Sequence, residues 1–499
     1  MSVARREFLA SAAALGASLL GVTGEAEIAR SKVSKKGRDG MFTDRMAFGV
    51  WLNDMRTEPL PFSGWPPPVL DDITVDSLTR MLDLNAAFGY NKLDIFGLFT
   101  TWGWPVDIRS AVDRERAKRL RRILKAAKQR DIDVVYGLGI YSWGFDEIIK
   151  HDPAVRGPNE HAMCASSETS WEWQKKVTDF VLEWGVDGLH LESADLGRCT
   201  CDKCMERWPD QFEYHHHLTS MTADYVRRVS PETYLCPTLI SWMDWNLKLN
   251  EKQKDLLVDL STRVDCIYDQ GHHSCYLEES ERAAFIRRLE CRWGTSGGLW
   301  VYPPFRYTRR AWFLPYTQRT GDHIRSLYAD GGRGVMYYQG PPNNPGVEVN
   351  IAFGGRIMSH PEESVDEALT QVLEKLYEPR TPEALAQLVA VFQGAEDAYF
   401  GNLDYDDEKK YLKGLKAFPG PGELHLSFPG AGASGPPAYL LEPNLTAEGR
   451  VAYTGGLEAS LRKALDIQGD FKNEERIRRL LHTMINAVTS VKTTALKDP

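Results

Sequence analysis

Val186-Asp187-Gly188-Leu189-His190-Leu191-Glu192 alternates apolar and polar side chains immediately after a helical stretch, Trp171 to Trp184. A period of two is the signature of a strand. It sorts Gly188, His190 and Glu192 onto one face and Leu189 and Leu191 onto the other. The same strand–helix rhythm extends in both directions. Strands are expected at Arg45 to Asn53, Lys92 to Phe99, Ile132 to Tyr141, Thr233 to Trp242, Asp265 to Gln270, Gly298 to Pro303 and Gly334 to Gln339. Between them the apolar spacing is helical at Ile73 to Phe88, Asp113 to Gln129, Phe212 to Val229, Glu251 to Val264, Glu281 to Cys291 and Tyr316 to Ala329. Eight strands alternating with helices imply a parallel sheet, and eight imply closure into an α/β barrel, the (β/α)8 TIM barrel. An open doubly wound sheet is the alternative, but no G-x-G-x-x-G follows the first strand to support a dinucleotide fold.

The barrel occupies residues 42–360. After Met358 the rhythm changes to helices without strands, Ser364 to Tyr377, Pro382 to Phe400 and Arg476 to Val491. A Pro/Gly-rich loop, Phe418 to Pro437, interrupts them. Residues 361–499 therefore read as a mainly helical region packed against the barrel. At the other end, residues 1–36 look like a twin-arginine export signal. Arg5-Arg6-Glu7-Phe8-Leu9 precedes a mildly apolar Ala/Leu stretch far short of the ~20 residues of a membrane span. Cleavage would fall near Ala26 or Ala29, and the mature chain would be periplasmic or extracellular. That route carries folded proteins, so a metal could be loaded in the cytoplasm.

Composition narrows the function. Of 499 residues, 42% are hydrophobic and 26% charged, and mean hydropathy is −0.39, the profile of a globular chain with no membrane span. A net charge of −9 lacks the concentrated basic face that nucleic acid needs. The 53 aromatic residues (14 Trp, 20 Tyr and 19 Phe) cluster where a barrel keeps its chemistry, at the C-terminal ends of the strands and on the loops that follow. Trp51, Trp102, Tyr141, Trp143, Trp242, Tyr302 and Tyr338 lie there, beside Asp94, His190, His272, His273, Arg306 and Gln339. Rings beside hydrogen-bonding groups suit a sugar, whose C–H faces stack while its hydroxyls need donors and acceptors.

Glu192 is the sharpest position. With the leucines toward the helices, His190 and Glu192 point into the barrel, where a carboxylate is costly unless paired or useful. Its surroundings would raise its pKa toward general-acid service, unless it serves instead in a structural ion pair. Asp195 is a second candidate for proton transfer, and Asp269 near the end of strand six is the expected partner carboxylate. Two carboxylates flanking a bond are what glycoside cleavage requires. Strand seven ends without one.

Trp184 to Glu192, running on through Ala194-Asp195-Leu196-Gly197-Arg198-Cys199-Thr200-Cys201-Asp202-Lys203-Cys204, resembles glycoside hydrolase barrels related to the α-glucuronidases and the family 20-like N-acetylhexosaminidases. That resemblance implies an acidic residue acting just after strand four. The adjacent Asp-Glu pair typical of family 20 is missing here. The expected function is an exported, exo-acting glycoside hydrolase acting on an oligosaccharide or glycoside without an organic cofactor. A metal-dependent hydrolase using Asp269, His272 and His273, or a non-catalytic glycan-binding barrel, are the alternatives.

Cys199-x-Cys201-x-x-Cys204 is a tight cluster, and Cys164 stands in the loop after strand three, a neighbour in a barrel. Four thiolates could form a closed structural zinc site; a disulfide or buried free thiols are the competing readings. His215-His216-His217 cannot all face one metal, because successive helical residues turn about 100° apart, and a solvated helix face is expected for them.

Overall fold

A computed structural model of the chain describes residues 40–52, 69–100, 103–193, 197–240, 242–243, 247–269, 276–298, 313–400 and 447–495. The expected export signal and the Phe418 to Pro437 loop lie outside them. Eight parallel strands are present: β1 (Asp44–Trp51), β2 (Lys92–Phe96), β3 (Asp133–Gly139), β4 (Gly188–Glu192), β5 (Tyr234–Pro237), β6 (Cys266–Asp269), β7 (Arg292–Gly297) and β8 (Gly334–Tyr338). They pair in the order β5-β4-β3-β2-β1-β8-β7-β6. The two ends of that sheet meet at the parallel bridge Thr238–Tyr268, where the Leu239 amide donates to the Tyr268 carbonyl at 3.0 Å. The sheet is thus a nearly closed barrel rather than an open doubly wound sheet. Its weakest seam follows Pro237, which has no N–H to extend the ladder.

Each strand is followed by a helix of the outer layer: α1 (Asp72–Ala87), α2 (Arg114–Lys128), α4 (Glu168–Leu182), α6 (Gln211–Val229), α7 (Glu251–Ser261), α8 (Glu279–Ile286), α9 (Gln318–Ala329) and α10 (Pro345–Ser359). Two short helices, α3 (Asp146–His151) and α5 (Asp202–Arg207), sit in the connections after β3 and β4. Side-chain caps start several of these helices where the sequence offers Asp or Asn. Asp71, Asp113 and Asp210 accept from backbone amides of the first turn, and Asn250 forms a reciprocal capping box with Gln253.

Inside the barrel the registered strands place large and small side chains against each other. Met46, Phe48, Phe96, Val135, Cys236, Cys266, Tyr268, Met336 and Tyr338 form one buried interior cluster. Room for the rings comes from glycine. A Cβ on Gly137 would stand 2.5 Å from the Phe96 ring, and one on Gly294 would stand 2.5 Å from Tyr268. The N-terminal end is closed by charge, with Arg292 donating to Asp44 at 2.7 Å and Lys92 3.7 Å from the same carboxylate.

One strand differs from expectation. The seventh is Arg292–Gly297, RWGTSG, not Gly298 to Pro303. Its interior face is Arg292, Gly294 and Ser296, small beyond the arginine because Tyr268 fills the space beside it. A strand so poor in branched apolar residues carries almost no β signal.

The C-terminal region contains α11 (Val365–Tyr377), α12 (Pro382–Phe400), α13 (Ala447–Asp466) and α14 (Glu474–Ala495). Two buried carboxylates bind it to the barrel. Glu348 on α10 accepts from Arg476 at 2.9 Å and from Arg479 at 2.5 Å, both on α14. Glu396 on α12, fully buried, accepts from the Thr317 amide at 2.7 Å, the Thr317 hydroxyl at 2.9 Å and the Gln318 amide at 3.0 Å. Those donors start α9, so a residue of α12 caps a barrel helix and adds a negative charge at its positive end. Glu396→Ala should cost about 2 to 3 kcal/mol, since it strands buried donors. Denaturant unfolding will read this, and a loss of less than about 0.5 kcal/mol would refute the docking role.

Candidate active site

At the C-terminal end of the barrel the structure brings together three of the expected residues. His190 and Glu192 share the interior face of β4, while Leu189 and Leu191 join the outer core. His190 Nδ1 lies 2.6 Å from Asp94 Oδ2 on β2, and both side chains are buried. The imidazole fits between the rings of Phe96, at 5.3 Å edge-on, and Phe48, at 5.9 Å. Burial opposes the imidazolium, yet Asp94 and then Glu192 outweigh it, so the His190 pKa is raised. Burial also lifts the Asp94 carboxyl, with His190 pulling the other way. The pair can share one proton between two groups that water would titrate separately.

Glu192 is 5% exposed and accepts from the Thr238 hydroxyl at 3.0 Å. Thr238, which sequence reasoning passed over, lies just beyond β5 on the same parity as Tyr234 and Cys236. That period of two could have exposed it. The facing residue of β3 is Gly139, registered with Glu192, where a Cβ would run into the Trp143 carbonyl at 2.1 Å. A glycine at this position lets the chain fold back over the strand end.

The turn that results is strained. Tyr141 and Trp143 both take the left-handed region, at φ 61° and 51°, followed by Gly144 at 91°. Such residues cost about 1 kcal/mol or more each and persist only where the surroundings hold them. Gln174 of α4 does so, accepting from the Tyr141 amide at 3.0 Å and donating to the Gly139 carbonyl at 3.2 Å. The strand ends are also joined, with the Ile140 amide donating to the Glu192 carbonyl at 2.7 Å. Trp143 is half-buried with its ring 6.0 Å from Phe96, whereas Tyr338 is buried, its ring tilted against Phe48 with centroids 5.2 Å apart. Trp143 stays partly accessible at the strand ends, while the Tyr338 ring belongs to the buried interior cluster.

Other expected contacts sit elsewhere. Trp242 is fully buried between Phe212 and His215, so its ring is core on the helix side rather than mouth. Tyr141 is buried beside Cys164 and Cys204, and burial raises its phenol pKa. Asp94 is fully buried under His190, and Gln339 is buried with its amide on the Tyr337 carbonyl at 3.0 Å, which makes both supports rather than open contacts. Asp269 is fully buried at the last position of β6, but it shares strand parity with Ile267 and not with Tyr268, the interior residue. Asp195, Trp102, His272, His273, Tyr302 and Arg306, and the side chain of Trp51, lie outside the described residues.

The three histidines of α6 do not form a solvated face. His215 is fully buried, His216 meets Asp259 at 3.2 Å, and His217 packs on Trp208 with centroids 4.9 Å apart. Burial, helped by Arg198, brings the His215 pKa down to about 3, and the Ser193 backbone opposes the shift. This imidazole backs the residue that follows Glu192.

The thiols of Cys164, Cys199, Cys201 and Cys204 all lie within 4.8 Å of one another. A separate cavity of about 630 Å3 opens where α1 meets α11 and α14; its Glu348 is already held by Arg476 and Arg479, and Pro342 and Asn343 of the segment after β8 also line it.

No protein-family model matches the chain, and no curated protein matches it. Solved structures do. The chain is similar to a GH138 enzyme targeting pectin rhamnogalacturonan II, with a TM-score of 0.53 and 11% identity over 91% of this chain and 72% of that one. It is also similar to a mutant of the Thermobaculum terrenum O-GlcNAc hydrolase, with a TM-score of 0.47 and 11% identity over 91% and 96% of the two chains. For CpGH84B the values are 0.45 and 8%, over 89% and 67%. At such identities the likeness is one of fold. No helix among the described residues is long and apolar enough to cross a membrane.

His215 makes an acid-lability prediction. Its folded pKa, about 3, lies below the ordinary 6.5, so below pH 6.5 the unfolded chain binds a proton that the folded chain refuses. Stability is thus lost as pH falls from 6.5 toward 3. Between pH 7.5 and 4.5 the wild type should lose about 2 to 3 kcal/mol more than His215→Leu in urea unfolding. Parallel curves for the two proteins would dismiss the buried neutral imidazole.

Proposed function

We propose that the chain is a glycoside hydrolase that cleaves its substrate with two carboxylates at the C-terminal mouth of the barrel. One observation carries this reading: Glu192 is a buried carboxylate at the end of β4, on the interior face, directly above the buried His190–Asp94 pair. Barrel enzymes place their chemistry at such strand ends. The fold likeness to a GH138 enzyme supports the class. The narrower kinship with α-glucuronidases and family 20-like hexosaminidases rests on the run from Trp184 to Cys204 alone. The Arg5-Arg6 leader supports export of the folded enzyme to the periplasm or beyond.

In this reading Glu192 protonates the glycosidic oxygen as the bond to the anomeric carbon breaks. Thr238 fixes the carboxyl by its 3.0 Å hydrogen bond. His190, held by Asp94, sets the charge beneath it and is a positioning residue. The second carboxylate, Asp195 in this reading, either activates water or attacks the anomeric carbon; Asp269 lies on the outward parity of β6. Trp143 offers a face to the sugar's C–H bonds.

The test is a panel of aryl glycosides and of plant and host glycans, with exo action read from release of terminal sugars. Glu192→Gln should lower kcat by about 100- to 10,000-fold on the substrate found, with folding unchanged. Asp195→Asn and Asp269→Asn identify the partner by a loss of similar size. Unchanged turnover in Glu192→Gln would remove that residue from the mechanism. Oligosaccharide binding without turnover would favour a glycan-binding barrel, and turnover abolished by chelators in a still-folded protein would favour a metal-dependent hydrolase.

A further inference from the structure

Two loops of the barrel, one after β3 and one after β4, each send cysteines to a common point. Cys164 comes from the segment between α3 and α4, Cys199 and Cys201 from the loop after β4, and Cys204 from the first turn of α5. Cys164 Sγ is 3.7 Å from Cys201 Sγ and 3.8 Å from Cys204 Sγ. A disulfide would need about 2.05 Å. Four sulfurs at about 2.3 Å from one tetrahedral ion stand about 3.8 Å from each other, which matches the two Cys164 separations, and all four lie within 4.8 Å of one another. We infer that Cys164, Cys199, Cys201 and Cys204 bind one zinc ion in a closed, four-thiolate site that holds the β3 and β4 loops together.

Three further features fit that role. Gly157 packs against the cluster so closely that a Cβ would stand 2.4 Å from Cys199 Sγ, so the backbone approaches where a side chain could not. Ser166 Oγ lies 3.1 Å from Cys204 Sγ, where a hydroxyl can donate to a thiolate. The segment carrying Cys164 is bonded to the strained turn, with the Met163 amide donating to the Tyr141 carbonyl at 2.7 Å. Four thiolates leave no ligand position for water or substrate, so the ion is structural and takes no part in bond cleavage. The cysteines of β5, β6 and the start of β7, namely Cys236, Cys266 and Cys291, are buried in the barrel wall away from this set.

The inference does not depend on the glycosidase reading, and its test does not use activity. Elemental analysis of the full chain purified without added metal should give one zinc per chain. Cys201→Ser and Cys164→Ser should each lose most of that zinc and melt at lower temperature, whereas Cys291→Ser should retain it. Should the ligand variants fail to fold, protein grown with cobalt in place of zinc reads the site in the wild type. Thiolate-to-cobalt charge-transfer bands with intense tetrahedral d–d absorption are the expected result. Zinc-free protein whose four cysteines are oxidised would overturn the inference in favour of disulfides, as would zinc content that survives in both ligand variants.

Discussion

Water is excluded from the interior of an eight-stranded barrel, so each charge inside it needs a partner or a reason to be there. The hydrogen bond between His190 and Asp94, 2.6 Å long and fully enclosed, is where this constraint acts most strongly. It joins β2 to β4 across the interior and fixes which imidazole nitrogen faces the carboxylate. Below it the Asp44–Arg292 pair, with Lys92 alongside, closes the N-terminal end. Above it stands Glu192 with the Thr238 hydroxyl. Polar groups therefore run from one end of the barrel to the other along a core that is otherwise aromatic and aliphatic. The arrangement leaves a carboxylate at the end where strands give way to loops.

Space for that arrangement comes from residues that leave no side chain behind. On β3 the interior face is Val135, Gly137 and Gly139, registered with Gly188, His190 and Glu192 of β4. Gly137 admits the Phe96 ring, which lies against His190. Gly139 allows the chain to turn back through Tyr141 and Trp143 over the strand end. Alanine at either position would force ring or backbone to move, so the aromatic wall of the mouth and the imidazole beneath it depend on the same two glycines. Packing and chemistry are not separable at this end of the barrel.

The alternation of Leu189 and Leu191 with His190 and Glu192 made both the strand and its inward face legible, because side-chain parity in a strand follows from backbone geometry alone. The eight-fold rhythm was legible for the same reason. Other elements lacked a local signal. β7 is built from Gly294, Thr295, Ser296 and Gly297, whose small size answers Tyr268 and Tyr337 across the sheet, and that is a tertiary demand. Pro345–Ser359, the eighth outer helix, is buried almost all round, so it shows no polar face to mark its period. Trp242 and Tyr141 looked like mouth aromatics because strand ends border both the mouth and the helix layer, and a ring serves either place. His215 sat in a run of three histidines that suggested solvent; its burial is set by Trp242, which lies beyond β5 and which no neighbour in the sequence announces. The cysteine cluster was visible as a spacing, while its fourth member depended on the barrel bringing two loops side by side.

Holding a strained loop is a matter of supports that do not yield together. The left-handed backbone at Tyr141 and Trp143 is opposed on one side by the Gln174 amide, which replaces the ladder partners that the chain gives up as it leaves β3. On the other side the Met163 and Ile140 amides fasten the same turn to the cysteine-bearing segment and to Glu192 itself. Each of these bonds is worth only about 1 kcal/mol net, comparable to the strain it opposes. None alone could keep Trp143 beside Phe96. Together they make the loop's position a property of three elements, β4, α4 and the Cys164 segment, so displacing any one of them moves the ring and the Glu192 carbonyl in concert. For the role proposed for Glu192, its carboxyl must be placed to within about 1 Å. In this chain that placement is carried by backbone hydrogen bonds between neighbouring strand ends, with the side-chain chemistry resting on them.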